Sequence, residues 1–261
     1  MADKLNIYLK KKTDAGFAKV ASDVTLPYQF QDLNPGTDYE VGGKLENASG
    51  EGPMNTPTEF TTISIPDAPT IAIVAGNGKI DFTLTAGASD GVPSNGQNDL
   101  TGFKVLWKTA SGSENWTTIN NDPDQLTGSI TGLTNGTDYQ VKAVAVNAAG
   151  ESAAGTTQHA TPATVPGKPT ATVEEGDASG NYTVTAPTDN GGSAITSYVY
   201  RLKKTSDATW GTQVDMGTDL TGAVAELENG TEYSIEFAAV NAIGQSPWDD
   251  SLAVHFTPTA A

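Results

Sequence analysis

Apolar and polar residues alternate along three segments of the chain. In the middle segment Gln140 and Lys142 fall between apolar positions, which are Tyr139, Val141, Ala143 and Ala145. The corresponding positions are Tyr39, Val41, Gly43 and Leu45 in the first segment and Tyr233, Ile235, Phe237 and Ala239 in the third. A period of two residues predicts a β-strand with one buried face in each segment.

One short motif precedes each of these strands. Its copies are Leu33-Asn-Pro-Gly-Thr-Asp-Tyr39, Leu133-Thr-Asn-Gly-Thr-Asp-Tyr139 and Leu227-Glu-Asn-Gly-Thr-Glu-Tyr233. Each Tyr is followed eight residues later by an Asn and then by a Gly, as in Asn147-Ala-Ala-Gly150. Recurrence at a nearly constant step predicts copies of one small domain. We place these copies at residues 1–64, 65–163 and 164–261.

Two further kinds of strand are predicted from the same alternation. All three copies have a strand upstream of the motif, with apolar positions at Leu5, Ile7 and Leu9, at Phe103, Val105 and Trp107, and at Tyr198, Tyr200 and Leu202. Residues 79–85 and 181–185 predict one more strand in the second and third copies, each preceded by a proline-rich entry. Proline at such an entry suits an edge strand. The first copy has no counterpart of this strand or of its entry.

The order of these motifs from residue 66 onward resembles the fibronectin type III domain. The likeness includes the Leu-to-Tyr motif and the later Asn-x-x-Gly-x-Ser-Pro sequence that ends at Pro247. It implies sandwiches of seven strands, with sheets A-B-E and C′-C-F-G, in which Tyr139 and Tyr233 are tyrosine-corner residues at the start of strand F. One departure is that apolar residues such as Phe82 and Tyr182 replace the Trp usual in strand B. The predicted fold class is all-β, with two complete sandwiches and one N-terminal partial one.

The partial sandwich of residues 1–64 is the first candidate for function. Without strands A and B its inward face is left bare, which a small domain tolerates poorly. We therefore expect this face to dock on another subunit of an assembly. Its apolar residues are Leu5, Ile7, Leu9, Tyr39, Val41 and Leu45. The alternatives are that the small domain closes on itself, or that the chain was cut within a longer array.

The composition argues against most catalytic and metal-binding classes. The chain has no Cys, and its two His residues, His159 and His255, fall at matching positions of the second and third copies, as expected of inherited repeat positions. The sequence has no nucleophile with a neighbouring base and no phosphate-binding loop. We predict no enzymatic activity, no cofactor and no metal site. The net charge of −17 with a single Arg disfavours nucleic acid as a partner.

Two features interrupt the repeat and are candidate contacts for a ligand or partner. The second copy carries about five additional residues in the loop from Asp90 to Asp99, whose polar residues also include Asn95, Gln97 and Asn98. Trp248 has no aromatic counterpart in the other copies. An exposed Trp beside acidic residues suits stacking on a sugar ring, and the favoured alternative is packing at the joint between the second and third copies. For the loop, the alternative is a neutral insertion.

The N-terminal residues predict the place of synthesis. They contain no apolar core or cleavage site of a signal peptide, and no segment has the length of a membrane span. By analogy, an acidic array of such domains with no signal peptide and with a docking end is typical of a bacteriophage head or tail decoration or fibre protein. Such a protein would lie at the virion surface and make weak contacts with host glycans. The alternative is an extracellular spacer or carbohydrate-binding array of a secreted bacterial enzyme or adhesin. A eukaryotic adhesion fragment is the third class considered.

Overall fold

The computed structural model describes residues 3–91, 99–112 and 115–261. Over these residues the chain forms β-strands and one short 3₁₀ helix, Asp250–Leu252, and the strands are grouped in antiparallel sheets. The all-β class predicted from the alternation is confirmed. No helix in the described ranges is long and apolar enough to cross a bilayer.

The first repeat contains one sheet. Its strands are β1 (Lys4–Lys11), β2 (Ala18–Ala21), β3 (Asp38–Asn47), β4 (Gly50–Glu51) and β5 (Thr58–Thr61). The central pair is β1 with β3, with β2 on the free edge of β1 and both β4 and β5 on the far side of β3. In this register Leu5 lies opposite Leu45 and Leu9 lies opposite Val41. These side chains therefore share one face of the sheet.

The second repeat contains two sheets. Its strands are β6 (Thr70–Gly76), β7 (Lys79–Thr85), β8 (Gly102–Thr109), β9 (Thr117–Asn121), β10 (Thr127–Thr131), β11 (Tyr139–Asn147), β12 (Gly150–Glu151) and β13 (Gln158–Ala160). The smaller sheet has the order β10-β7-β6. The larger has the order β12-β11-β8-β9, with β13 also paired to β11. This is the topology of sheets A-B-E and C′-C-F-G.

The third repeat has the same two-sheet arrangement. Its strands are β14 (Thr170–Gly176), β15 (Ser179–Thr185), β16 (Ile195–Lys204), β17 (Val214–Asp215), β18 (Thr221–Val224), β19 (Tyr233–Asn241) and β20 (Val254–Phe256). The sheets have the orders β14-β15-β18 and β17-β16-β19-β20. Trp210 precedes β17 by four residues.

Each complete repeat buries the facing sides of its two sheets in one apolar core. In the second repeat Ile80 and Leu84 of the small sheet pack with Val105 and Val141 of the large one, and all four are at most 2% exposed. In the third repeat Tyr182 and Val184 take part in the equivalent core. Burying one such aliphatic side chain contributes about 1.5–3 kcal/mol, so packing of the two sheets stabilises both.

A Tyr at the start of the long central strand is hydrogen-bonded to the preceding turn in every repeat. The hydroxyl of Tyr139 accepts a hydrogen bond from the Thr134 amide at 3.0 Å, and that of Tyr233 accepts one from Glu228 at 3.2 Å. Tyr39 has the same contact with the Asn34 amide at 3.0 Å. The two predicted tyrosine corners thus have this bond, and the first repeat has it as well.

Replacing Tyr233 with Phe tests the contribution of this bond. The Tyr233→Phe change keeps the buried ring and removes the acceptor for the Glu228 amide. Because one intramolecular hydrogen bond contributes about 0.5–1.5 kcal/mol net, the free energy of unfolding of the third repeat should fall by that amount. Hydrogen exchange of the β19 amides measures it. Tyr200→Phe, which removes a hydroxyl with no hydrogen bond in the described chain, is the control, and an equal loss in both variants would contradict the assignment.

Candidate interaction surfaces

Part of the apolar face of the first repeat is covered by the repeat itself. Phe30 stacks on Phe60 with ring centroids 5.8 Å apart, Phe60 stacks on Tyr39 at 5.7 Å, and Tyr28 meets the edge of Phe30 at 5.2 Å. The segment that carries Tyr28 and Phe30 therefore lies over the half of the face nearest to Tyr39.

This packing corrects the predicted docking surface. Ile7, Leu9 and Tyr39 are only 7%, 8% and 5% exposed, because the segment around Phe30 covers that half of the sheet. They are not available to a partner in this structure. In this half of the face the first repeat covers its own apolar residues, as in the alternative of a small domain that closes on itself.

The other half of the face is an open apolar groove. Its lining includes Leu5, Gly43, Leu45, Pro53 and Met54, and it encloses about 410 Å³. The side chain of Leu45 is 56% exposed, and Leu5 is half-buried. Val41, also half-buried, lies between the covered half and this groove along β3. We call this surface the open groove. Of the six residues predicted to dock, Leu5 and Leu45 are the two that line it.

The outer face of the same sheet holds a cluster of charges around Glu51. The Tyr8 hydroxyl donates to a Glu51 carboxylate oxygen at 2.6 Å, and Lys19 forms an ion pair with the same carboxylate. Asn6, which is fully buried, donates to Glu46 at 2.7 Å and to Glu51 at 2.6 Å. The hydrogen bond from Lys19, followed by that from Tyr8, lowers the pKa of Glu51 to about 2. This face is thus occupied by internal contacts.

Acid should weaken the first repeat through Glu51. Its pKa is about 2 when folded and 4.5 without these contacts, so the ionised carboxylate stabilises the fold above about pH 4.5 and this contribution is lost as the pH falls toward 2. The Glu51→Gln variant should lose most of this dependence in the first repeat. The amide NMR signals of β1 and β3 during an acid titration give the measurement.

The third repeat supplies the control for that titration. The hydrogen bond from Lys168 lowers the pKa of Asp249 to about 2 as well. Asp249→Asn should therefore flatten the acid dependence of the third repeat and leave that of the first unchanged. An unchanged profile of the first repeat in Glu51→Gln would contradict the role of Glu51.

The Asn of the repeated Asn-x-x-Gly sequence closes the joint between repeats. Nδ2 of Asn147 donates to the carbonyl oxygens of Ser64, in the linker, at 2.7 Å and of Asp90 at 2.8 Å. Its Oδ1 accepts from the amides of Ala149 and Gly150 at 2.8 and 3.1 Å. One buried side chain therefore holds the incoming linker, a neighbouring loop and its own turn together.

The second joint repeats these bonds. Nδ2 of Asn241 donates to the carbonyls of Thr164 at 2.7 Å and Asn190 at 2.9 Å. In the first repeat, Oδ1 of Asn47 accepts from the Ser49 amide at 2.8 Å, whereas Nδ2 has no hydrogen-bond partner within the described chain. The sequence analysis noted the three Asn residues but did not predict that they bond the linker to a neighbouring loop. Their recurrence at the same position of each copy was the signal that could have revealed this role.

The loop from Asp90 to Asp99 is partly outside the described structure. The predicted contacts Asn95, Gln97 and Asn98 all lie outside the described residues. The Asp90 carboxylate accepts from the Asp99 amide at 3.1 Å, and the Asp90 carbonyl takes part in the joint with Asn147. Both ends of the loop are therefore fixed by contacts within the second repeat.

Trp248 contacts a cationic side chain of its own repeat. The guanidinium carbon of Arg201 is 4.6 Å from the centroid of the Trp248 ring and 4.5 Å from that of Trp210. Arg201 in turn donates through Nε to Glu236 at 2.7 Å and lies 3.2 Å from an oxygen of Asp250. A cation over an aromatic face is attractive, and here it positions Trp248 against the sheet.

Glu236 is the buried centre of this arrangement. The residue is 1% exposed. One of its carboxylate oxygens accepts a hydrogen bond from Nε of Arg201 at 2.7 Å and forms an ion pair with Nη2 at 2.6 Å. The other oxygen accepts from the Asp249 amide. A buried carboxylate needs such compensation, so Arg201 primarily has a structural role.

Removing Arg201 should leave Glu236 as a buried, uncompensated charge. We expect Arg201→Ala to lower the free energy of unfolding of the third repeat by about 3–5 kcal/mol. Lys104→Ala is the matched control, because Lys104 pairs with Glu151, whose side chain is 52% exposed, and an exposed pair contributes less than about 1 kcal/mol. Urea unfolding with hydrogen exchange of each repeat gives both values. Similar losses in the two variants would show that Glu236 does not need Arg201.

The two histidines occupy equivalent strands, as the repeat predicts. Nδ1 of His159 on β13 lies 3.0 Å from a carboxylate oxygen of Asp138, and Nδ1 of His255 on β20 lies 3.0 Å from the Ser234 hydroxyl. In the described part of the chain no three acidic or histidine side chains are grouped as metal ligands would be.

Comparison with known proteins agrees with the observed topology. Residues 91–161 match the family model of the fibronectin type III domain. The matched segment lies within the second repeat, which therefore resembles a fibronectin type III domain. The third repeat has the same strand order, so the chain contains tandem immunoglobulin-like sandwiches of this type. Fibronectin type III domains are generally structural or adhesion modules without catalytic activity, which supports a role other than catalysis.

Two similar proteins have sequences that cover most of the chain. The crystal structure of the chicken CNTN1 FN1-FN3 domains is 19% identical, with a TM-score of 0.38, and covers 97% of this chain and 91% of that one. A Kelch domain-containing protein from Sulfurisphaera tokodaii is 27% identical over 231 residues, which is 85% of this chain and 28% of that protein. The chain thus spans little more than a quarter of that relative's length.

Proposed function

We propose that the chain is a structural and adhesion component of a bacteriophage virion, a decoration or fibre protein. It docks on another subunit through the first repeat and presents the second and third repeats outward. The observation that carries the proposal is the open groove, where Leu45 is 56% exposed on an apolar face whose counterpart in the second repeat is fully covered. Exposed apolar surface next to a strand edge is typical of a protein interface.

The other repeats support the role of projecting modules. Their facing apolar sides are buried between two sheets, and each joint is held by a buried Asn. The protein would be made in the host cytoplasm and reside at the virion surface. Contacts with host glycans would be weak and would involve the loop from Asp90 to Asp99 and the free side of Trp248.

A spacer or carbohydrate-binding array of a secreted bacterial enzyme or adhesin is the second candidate. The hydrogen bonds of Asn147 and Asn241 to the linkers support this candidate as much as the first, because a spacer also needs repeats whose linkers are held in place. In this role the first repeat would contact a neighbouring domain of the same secreted protein, and the chain would be extracellular.

The virion assignment predicts both the gene context and a physical association. We expect capsid or tail genes beside this gene, and we expect the full chain to co-sediment with particles of that phage. Leu45→Glu should reduce the bound fraction at least about tenfold, because it places a charge in an apolar interface. Ile243→Glu is the matched control, since Ile243 is also 56% exposed but lies in the third repeat.

Two outcomes would overturn this assignment. Genes for a secreted enzyme or adhesin around this gene would favour the second candidate. Equal binding of the Leu45→Glu and Ile243→Glu variants to the particles would show that the first repeat is not the docking end.

A further inference from the structure

The outer face of the large sheet in the second repeat carries a Trp ring beside two ammonium groups. Nζ of Lys142 lies 4.1 Å from the centroid of the Trp116 ring, and Nζ of Lys108 lies 5.4 Å from it. All three side chains are half-buried, so each keeps an exposed part. We call Trp116, Lys108 and Lys142 the cationic platform.

The two ammonium groups of the cationic platform are not neutralised by acidic side chains. Within the described part of the chain neither forms an ion pair, although the sequence has 31 acidic residues and 14 basic ones. Lys104, four residues before Lys108 on the same strand, does pair with Glu151 at 2.5 Å. Lys108 donates to the Gly112 carbonyl at 2.9 Å. Since an ammonium has three donors, the platform can still donate to an anion.

The first repeat neutralises the cation at the corresponding place. Nζ of Lys10 lies 5.1 Å from the centroid of the Phe17 ring, and it pairs with a carboxylate oxygen of Glu40 at 3.3 Å. Glu40 lies opposite Lys10 on the neighbouring strand. In the second repeat the residue opposite Lys108 is Gln140, which has no charge.

The third repeat also neutralises its cation, with a different carboxylate. The Arg201 guanidinium lies 4.5 Å from the centroid of the Trp210 ring and pairs with Glu236 at 2.6 Å. By repeat position, Glu236 corresponds to Lys142. The second repeat therefore keeps the aromatic ring and the cations of this arrangement, and it has a second cation where the third repeat has the carboxylate.

A pocket lies further along the same face. Lys104 and Lys108 are separated by four residues of β8, and Lys104 lies opposite Asn120 on β9, so the three side chains are on one side of the sheet. The pocket encloses about 240 Å³, and its lining includes Lys104, Asn120 and Asp122. Four residues of extended chain, as from Trp116 to Asn120, span about 13 Å. The platform and the pocket thus form one elongated polar surface.

We propose that this surface binds a glycan that carries a carboxylated sugar. The carboxylate accepts hydrogen bonds from Lys108 and Lys142, the ring of that sugar packs on Trp116, and the next part of the glycan reaches the pocket at Asn120. Hydrogen bonds between charged groups are roughly twice as strong as those between neutral groups, and an aromatic ring offers a large apolar surface. The inference rests on the proposed contact with glycans and assigns it a site and a ligand class.

The charge of the whole chain favours a ligand with few carboxylates over a polyanion. The net charge of −17 repels a long polyanion, whose charges extend beyond the platform. At an ionic strength of 0.15 M, exposed charges further apart than about 8 Å are largely screened from one another. A single carboxylate at the platform is therefore attracted mainly by Lys108 and Lys142.

Two carboxylated sugars, sialyllactose and trigalacturonate, are the probes, and lactose is the neutral control. In an NMR titration of the full chain, at least one probe should bind saturably and shift the indole N–H signal of Trp116. Its affinity should fall as salt is added, because the contact is electrostatic. Saturation by neither probe at about 10 mM, or equal binding of lactose, would overturn the inference.

Matched variants of two lysines test the platform itself. Lys142→Gln should weaken binding of the probe at least about tenfold, because it removes a charged hydrogen-bond donor. Lys203→Gln should leave binding unchanged, since Lys203 lies over Trp210 in the third repeat, 5.0 Å from the ring centroid. Lys142→Arg keeps the charge and should retain binding, and circular dichroism checks that all three variants fold. Equal affinities of Lys142→Gln and Lys203→Gln would overturn the site.

An acidic peptide tests the other kind of ligand that such a surface could take. If tetraglutamate binds at Trp116 more tightly than both sugars, the surface is a protein interface and the glycan inference is wrong. Weaker binding of the peptide than of a carboxylated sugar supports the inference.

Failure of this inference is distinguishable from failure of the proposed function. If the chain associates with phage particles but neither carboxylated sugar binds, the glycan site is wrong and the docking role of the first repeat stands. If a carboxylated sugar binds as described but the chain does not associate with particles, the glycan site stands and the virion assignment is wrong.

Discussion

A β-sheet with one apolar face is stable only when that face is covered, and this constraint organises the whole chain. The second and third repeats meet it with a second sheet, which buries residues such as Val105 and Ile235 completely. The first repeat meets it with the aromatic residues Tyr28 and Phe30, which cover half of the face. The other half, around Leu45, stays open as the groove.

A buried charge is neutralised on the outer face of the large sheet in the third repeat, where Arg201 pairs with Glu236. Arg201 and Glu236 lie opposite each other on neighbouring strands, and the equivalent pair in the second repeat is Leu106 and Lys142. In the first repeat this position holds Tyr8 and Gly42, and Glu51 completes the cluster. The same pair of strand positions thus holds different residue types in the three repeats, and the interacting side chains come from the same repeat in each case.

The sequence could predict the elements that depend on local periodicity. Residues 79–85 were predicted as a strand from alternation, and they form β7 over that range, because one buried face leaves a regular signal in the sequence. Contacts between residues far apart in sequence leave no such signal. Neither the packing of Phe30 on Phe60 nor the stacking of Trp248 with Arg201 follows from spacing, so the predicted docking face was too large.

The Asn at each joint also has a mechanical consequence. Tension applied along the chain reaches the second repeat through the linker, and the Ser64 carbonyl is bonded to Asn147, which is bonded to its own turn and to the Asp90 carbonyl. These bonds all meet at one side chain at the end of β11, a central strand of the large sheet. A pull on the linker at Ser64 therefore reaches that central strand through Asn147.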